Sequence, residues 1–381
     1  MRKLFPFLLI LVLLASCSSV GTENQTYTIY ALGLERDIST TKHGNLRTDT
    51  DADTFLAESG FDYGDIVSVS FLDRNIEMPI VPVFSSAASG QAALALRKTD
   101  VSKEYDSLAT FFINFGDFLT TYGIAAKKTN EDGTWDWVAE QGVSFPLRFD
   151  ITLVEKAGYR TEVELSMLER TNNREDYPDI TDWQFANFRK VTTTGMGNNL
   201  YRSSTPINGE LGRNTFAMKA FEEAGINVII NVADDTWNDI PESYYKYQKI
   251  LLLPMSVDIT SESNLGIVAE SLRFMAGNPG VYCIHCKEGK DRTGFIIAIL
   301  ELLMGADLDE VIEDYMVTYE NFYRVEKGTE RYRYISQTLI HQLETCGING
   351  TEHLKQQTES FLRKLGLTDT ELMNLRQNLG V

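Results

Sequence analysis

His285-Cys286-Lys287-Glu288-Gly289-Lys290-Asp291-Arg292-Thr293-Gly294 joins two apolar runs of unequal length. Before it, Gly280-Val-Tyr-Cys-Ile-His285 reads as a short buried strand. After it, Thr293-Gly-Phe-Ile-Ile-Ala-Ile-Leu-Glu-Leu-Leu-Met304 reads as a mostly apolar helix. The loop between them should aim successive backbone N–H groups at one point, on the positive end of the helix dipole. A cysteine and an arginine separated by five residues then place a nucleophile and a planar cationic fork around that point. A thiol attacks a phosphate ester only as thiolate, and such a concavity favours the anion while holding a dianionic group above it.

Working outward, the segments around the loop alternate in type. Leu200-Tyr-Arg-Ser203 leads toward a helical pattern over 216–225 that a glycine closes, and Ile226-Asn-Val-Ile-Ile-Asn-Val232 reads as a buried strand. Lys249-Ile-Leu-Leu-Leu253 is another strand, ended by Pro254, with a helix expected from about Ser261. Strand, helix, strand, helix in this order predicts a central, mostly parallel sheet covered by helices, with the active loop at the carboxyl end of a strand.

The loop resembles the signature of the cysteine-dependent protein tyrosine phosphatases, in their bacterial dual-specificity-like branch, and the likeness extends over about residues 175–381. In that family the cysteine becomes phosphorylated, so the resemblance implies Cys286 as nucleophile and Arg292 as the clamp on two phosphoryl oxygens. It implies that Thr293 helps the thiolate leave, that His285 orients the loop, and that Lys287, Glu288, Gly289, Lys290, Asp291 and Gly294 surround the bound phosphate. An Asp on a loop upstream protonates the leaving oxygen in the family; Asp258, which lies 28 residues before Cys286, takes that place, with Asp234 and Asp235 as alternatives. Asp258 also reads as an N-cap for the helix that follows. No cofactor is implied and no metal.

Two lysines in the loop, Lys287 and Lys290, admit two readings. Extra cations suit inositol phosphates or phosphoinositides, as a phytase-like enzyme would need; equally, each lysine pairs with Glu288 or Asp291 or points to solvent. The implied function is therefore a phosphomonoester hydrolase acting on phosphotyrosine, with inositol substrates as the alternative. A phospholigand-binding lipoprotein is the reading from another class, and the intact Cys286, Arg292 and Thr293 weigh against it. Cys283-Ile-His-Cys286 is also a Cys-x-x-Cys, which raises a redox dithiol or half a zinc site. A thioredoxin-type pair opens a helix, whereas Cys283 lies inside a strand run, and beyond the pair the sequence offers only Cys346, Cys17 and four scattered His to complete a zinc site. A buried, inert Cys283 is expected.

At the other end, Met1-Arg-Lys followed by apolar Leu4–Leu14 is a secretory signal, too short for a comfortable span. It ends in Leu14-Ala-Ser-Cys17, which resembles a bacterial lipoprotein processing box with Cys17 as the lipidated residue. Residues 1–16 are then a signal peptide, 17–25 a tether, and the body hangs from a membrane of the bacterial cell envelope, at the outer membrane or facing the periplasm. Cys286 must stay reduced, so the three remaining cysteines do not form a disulfide scaffold. Loss of Arg2 and Lys3 takes the formal charge from −19 to about −21. Such an acidic body excludes nucleic acid as a partner and broad adhesion to anionic lipid. The phosphate site must then be a local positive island, drawn from Lys287, Lys290, Arg292 and Arg202.

Residues 26–172 are expected to form a separate β-rich domain, barrel-like, with strands at 26–30, 65–71, 78–84, 147–154 and 161–167, the last two as a hairpin about Lys156-Ala-Gly158. Trp135 and Trp137 are read as packing before ligand contacts. The polar, turn-rich Thr171–Asp179 marks the boundary, leaving 173–381 as the catalytic domain.

Overall fold

The computed structural model describes residues 26–97 and 107–380; the expected signal peptide, Cys17 and the tether lie outside the described residues. Two units divide at Arg160/Thr161, upstream of the polar stretch expected to separate them.

In the first unit the alternation of buried and exposed side chains builds nine strands among the described residues. They are β1 (Thr26–Ala31), β2 (Leu46–Asp51), β3 (Ile66–Phe71), β4 (Arg74–Val81), β5 (Ala92–Ala95), β6 (Leu108–Ile113), β7 (Ala125–Thr129), β8 (Trp135–Ala139) and β9 (Leu147–Glu155). Seven of them make one sheet, ordered β1-β9-β3-β4-β5-β6-β2, and β7 pairs with β8 as a separate hairpin. All pairings in the large sheet are antiparallel except β4 with β5. Its two edges approach each other, since the Tyr30 amide in β1 donates to the Asp49 carboxylate in β2 at 3.0 Å. Helices α1 (Ala52–Ser59) and α2 (Phe118–Thr121) add Phe55 and Phe118 to a core in which Phe111 stacks on Phe149 at 4.4 Å. Trp137 is buried with its indole N–H on the Thr41 carbonyl at 3.1 Å, a packing role.

The expected strand at 161–167 is a helix, α3 (Arg160–Ser166). Thr161-Glu-Val-Glu-Leu-Ser-Met alternates in polarity, but its buried residues are the adjacent Val163 and Glu164, which no pleated strand would place on one face. β9 therefore has no hairpin partner after Gly158.

The second unit follows the expected plan. After α4 (Asp182–Phe185) come β10 (Arg189–Lys190), β11 (Leu200–Ser203), α5 (Asn214–Glu223), β12 (Val228–Asn231), β13 (Lys249–Leu252), α6 (Glu262–Gly277), β14 (Tyr282–His285) and α7 (Asp291–Met304). Four more helices complete it: α8 (Leu308–Tyr323), α9 (Glu330–Thr345), α10 (Leu354–Lys364) and α11 (Asp369–Leu379). The sheet order is β10-β11-β14-β12-β13, parallel apart from the short edge strand β10. β14 sits in the middle and is buried along its whole length, as a strand covered on both faces must be. Its side chains alternate: Tyr282, Ile284 and Cys286 join the core shared with α6 and α7, whereas Cys283 joins the opposite core with Tyr201, Phe221 and Tyr245. Thr368 and Asp307 close capping boxes at the starts of α11 and α8. Among the described residues no helix is long and apolar enough to cross a membrane.

Candidate active site

The segment from Cys286 to Lys290 leaves the carboxyl end of the central strand and turns directly into α7. Each carbonyl from Lys287 to Lys290 is taken by a donor outside the loop's interior. The Thr205 amide donates to the Lys287 carbonyl at 3.1 Å, and Asn187 Nδ2 to the Glu288 carbonyl at 2.8 Å. Arg202 Nη2 donates to the carbonyls of Gly289 at 2.9 Å and Lys290 at 3.3 Å. By contrast, no backbone N–H from Lys287 to Lys290 donates to any acceptor among the described residues. Nor does the side group of Lys290, at the N-cap of α7, cap that helix. Carbonyls are held outward and amides are left free at the positive end of a fourteen-residue helix, which is the arrangement of an anion cradle.

Above the cradle lies a cavity of about 410 Å3 whose lining includes Cys286, Arg292, Lys287 and Lys290 on one side and Val257 and Ile259 on another. Cys286 is buried, and Thr293 is fully buried with a hydroxyl that has no partner among the described residues. Arg292 is fixed by two acceptors: its Nη1 donates to the Met255 carbonyl at 2.8 Å and pairs with the Asp234 carboxylate at 3.1 Å. His285 lies under the loop, hydrogen-bonded through Nε2 to the Tyr245 hydroxyl at 2.8 Å, and burial pushes its pKa down to about 3, so the imidazole is neutral.

The charged loop residues have partners of their own. Glu288 accepts from Tyr323 at 2.7 Å and pairs with Arg170 at 3.1 Å. Burial alone would raise its pKa, but the Lys290 charge, Tyr323 and Arg170 outweigh that and hold it below the usual range. Lys290 is tucked over the rings of Tyr319 and Tyr323, each 5.2 Å from its ammonium, and pairs with Asp291 at 3.4 Å and Glu288 at 3.8 Å. Burial pulls that ammonium down, yet Asp291, Tyr323 and Glu288 more than compensate, so it remains a cation. Asp291 also accepts from Tyr319 at 3.0 Å, and Lys287 pairs with Glu210 at 2.8 Å. Lys290 thus has the expected partners Asp291 and Glu288, whereas Lys287 meets Glu210, which lies outside the loop.

Of the three candidate acids, Asp234 meets Arg292, and Asp235 is buried against Asn231 Nδ2 at 3.1 Å, burial holding its carboxyl above the usual range. Asp258 is exposed between the two cavity residues Val257 and Ile259, and its carboxylate takes no hydrogen bond among the described residues. It is not the cap of α6: that position is Ser261, and Asp258 contributes only its carbonyl, to the Ser261 amide at 3.1 Å and to Asn264 at 2.5 Å.

Arg202 does not add exposed positive charge to the site. It is instead wholly buried, paired with Asp314 of α8 at 2.5 Å, and acts as a brace for the loop. Asn187, in the left-handed region at φ 52°, and Tyr245 carry no local sequence pattern that marks them, because each meets the loop from a distant segment. Cys283 is fully buried, burial raising its pKa well above the ordinary thiol value, and it faces the other side of the sheet from Cys286. A disulfide between the two does not fit that alternation. Among the described residues no cluster of three or more His, Cys, Asp or Glu is placed to hold a metal ion.

Comparison with known proteins gives one family match and a set of distant structural likenesses. Residues 233–381 match the model of the tyrosine phosphatase family. No curated protein matches the sequence. Solved structures similar to it include an uncharacterised conserved protein of Thermotoga maritima, at 16% identity and a TM-score of 0.23, covering 34% of this chain and 36% of the other. The catalytic domain of the PP-IP phosphatase SIW14 of S. cerevisiae is 21% identical, with a TM-score of 0.26, covering 39% of this chain and 83% of that one. A Cys-to-Ser variant of P. aeruginosa TpbA in complex with pTyr is 16% identical, with a TM-score of 0.27, covering 54% and 98%. The part of the protein that bears Cys286 and Arg292 is thus similar in sequence to the tyrosine phosphatase family.

Proposed function

We propose that the protein is a phosphomonoester hydrolase that works through a cysteinyl-phosphate intermediate, with phosphotyrosine as its substrate. The observation that carries this reading is the partition of the loop's backbone, carbonyls held outward and amides free around Cys286. In the first step Sγ of Cys286 forms a bond to phosphorus while the ester P–O bond breaks. Arg292 and the loop amides stabilise the equatorial oxygens, and Asp258 gives its proton to the departing oxygen. In the second step a water oxygen bonds to phosphorus, Asp258 takes the proton, and the S–P bond breaks with Thr293 supporting the thiolate. Neither step uses a metal.

Two features favour an aryl ester over an inositol phosphate. Val257 is 91% exposed at the rim, and Leu165 and Ile259 add further apolar lining. Of the two loop cations that a second phosphate would seek, Lys290 is tucked away and paired with Asp291 and Glu288, while Lys287 meets only the exposed Glu210. For Asp258, the support is its place between Val257 and Ile259 on the loop that borders the cavity. The N-terminal sequence further supports lipidation at Cys17 and a place in the bacterial cell envelope; labelling with a radioactive fatty acid that persists in Cys17→Ala would contradict it.

The test is phosphate release, with and without EDTA, from a phosphotyrosine peptide, a phosphoserine peptide, phosphoinositides and inositol hexakisphosphate. Preference for the phosphotyrosine peptide, survival in EDTA and loss of turnover in Cys286→Ser are expected. Undiminished turnover by Cys286→Ser would refute the assignment. Asp258→Asn should lower kcat by about 10²–10⁴-fold on an alkyl-like leaving group and much less on p-nitrophenyl phosphate, whose leaving group needs little protonation. That pattern in Asp234→Asn instead would move the acid to Asp234.

A further inference from the structure

The cavity has a wall that the phosphate chemistry does not use. Helix α9 presents Thr338 and Gln342 to the cavity that Cys286 lines, one turn apart and so on one face. Both have unsatisfied hydrogen-bonding capacity. Thr338 Oγ1 and Gln342 Oε1 are shut off from solvent and have no partner among the described residues. The Nε2 end of Gln342 makes no hydrogen bond to the described residues either, and it is not among the atoms shut off from solvent. An unpartnered buried polar atom destabilises the free protein, so a ligand that offers partners here is bound with that cost removed. A threonine in a helix also has two accessible χ1 wells, which lets its hydroxyl turn toward a ligand.

We propose that Thr338 and Gln342 are specificity residues that read the peptide backbone beside a phosphotyrosine. This rests on the phosphatase reading given above. Leu165, Val257 and Ile259 suit the ring, and the α9 wall offers an amide donor and a hydroxyl, the groups that backbone C=O and N–H require. A polyphosphorylated ring would instead need several free cations, and of the two loop lysines Lys290 is already held by Asp291 and Glu288.

The experiment measures kcat and KM of the full-length protein for a phosphotyrosine peptide, for p-nitrophenyl phosphate and for inositol hexakisphosphate. The variants are Thr338→Val, Gln342→Leu and Thr338→Ser, each checked by its thermal unfolding midpoint. The kcat/KM ratio of peptide to p-nitrophenyl phosphate should fall about three- to ten-fold in Thr338→Val and in Gln342→Leu, carried mainly by KM, as the loss of one hydrogen bond predicts. Thr338→Ser, which keeps the hydroxyl, should restore the ratio. A ratio within two-fold of wild type in both apolar variants overturns the inference while leaving the phosphatase reading intact. So does a loss confined to inositol hexakisphosphate, which would make the wall a polyol reader. If the wild-type protein releases phosphate from none of the three esters, the phosphatase reading itself fails, and this inference with it.

Discussion

Replacing Gly289 by alanine tests the site where backbone geometry and chemistry meet. Gly289 has φ +69°, and a Cβ built there would lie 2.2 Å from the Ser203 carbonyl oxygen and 2.5 Å from its carbon. A left-handed conformation costs an alanine about 1–2 kcal/mol. The contact adds more, because ordinary van der Waals distance begins at 3.4 Å and the two groups must part by over an ångström. Ser203 cannot supply that movement: it is the last residue of β11, fully buried and in register with His285 of β14. The loop must move instead, dragging the Gly289 carbonyl from Arg202 and turning the free amides away from the phosphate. A displacement of about 1 Å at a reacting centre can lower turnover by about 10²-fold. Gly225→Ala separates strain from collision, since Gly225 has φ +66° but nothing within 4 Å of its would-be Cβ. Both variants should lose at least about 1–2 kcal/mol in urea unfolding. Only Gly289→Ala should lose about 10²-fold in kcat/KM for p-nitrophenyl phosphate, together with its affinity for orthovanadate. A Gly289→Ala enzyme within three-fold of wild type would show that the loop tolerates the shift, and the cradle argument would be wrong.

The other expectations concern the supports of the loop. Arg202→Met leaves Asp314 buried beside Arg189 alone, so it should cost about 3–5 kcal/mol by chemical denaturation; a cost under about 1 kcal/mol would show that the brace is dispensable. His285 titrates at about 3 in the folded protein and near 6.5 in the unfolded one, so only the unfolded state gains its proton as pH falls below 6.5. Its contribution is complete above that pH and is lost at about 1.4 kcal/mol per pH unit on the way down, roughly 2 kcal/mol by pH 5. Stability curves of wild type and His285→Asn that run parallel between pH 7 and 5 would contradict a neutral buried imidazole. Peroxide should leave Cys283 free, because it faces away from Cys286 across the sheet; an intramolecular Cys283–Cys286 bond found by peptide mass mapping would overturn that placement.

The loop was readable in the sequence because its information is local: ten consecutive residues, a strand before and a helix after, with no distant partner needed to recognise them. Helices α8 and α11 also carry their start signals locally, since Asp307 and Thr368 cap them within four residues. What failed was what depends on tertiary surroundings. β2, Leu-Arg-Thr-Asp-Thr-Asp, is polar, and β5, Ala-Ala-Leu-Ala, has the composition of a helix; each is a strand because its neighbours in the sheet make it one. The segment at 161–167 went the opposite way, its Glu164 buried against Arg331 of α9 at 2.7 Å, a pairing that polarity alternation cannot announce. The two loop lysines stayed ambiguous in sequence because Tyr319, Tyr323 and Glu210, which surround them, lie on other segments.

Under the proposed function, an acidic protein would bind a dianion with few unpaired cations. The cradle does not draw chiefly on net charge. Its donors are backbone amides, fixed in direction because Asn187, Arg202 and Thr205 hold the carbonyls on the other side of each peptide plane. Arg292 supplies a full positive charge to the cavity that Cys286 lines, and in the free protein that charge meets Asp234, a carboxylate 76% exposed. Only the Asp234 end of that pair is exposed, so a phosphate dianion in the cavity competes with a single solvated carboxylate for the buried guanidinium. The Met255 carbonyl meanwhile keeps the guanidinium aimed, as it is held from the protein side and not by solvent. In the proposed reaction, phosphate would take the place of Asp234 on Arg292, and the preorganised donors would act in the transition state with their orientation already set.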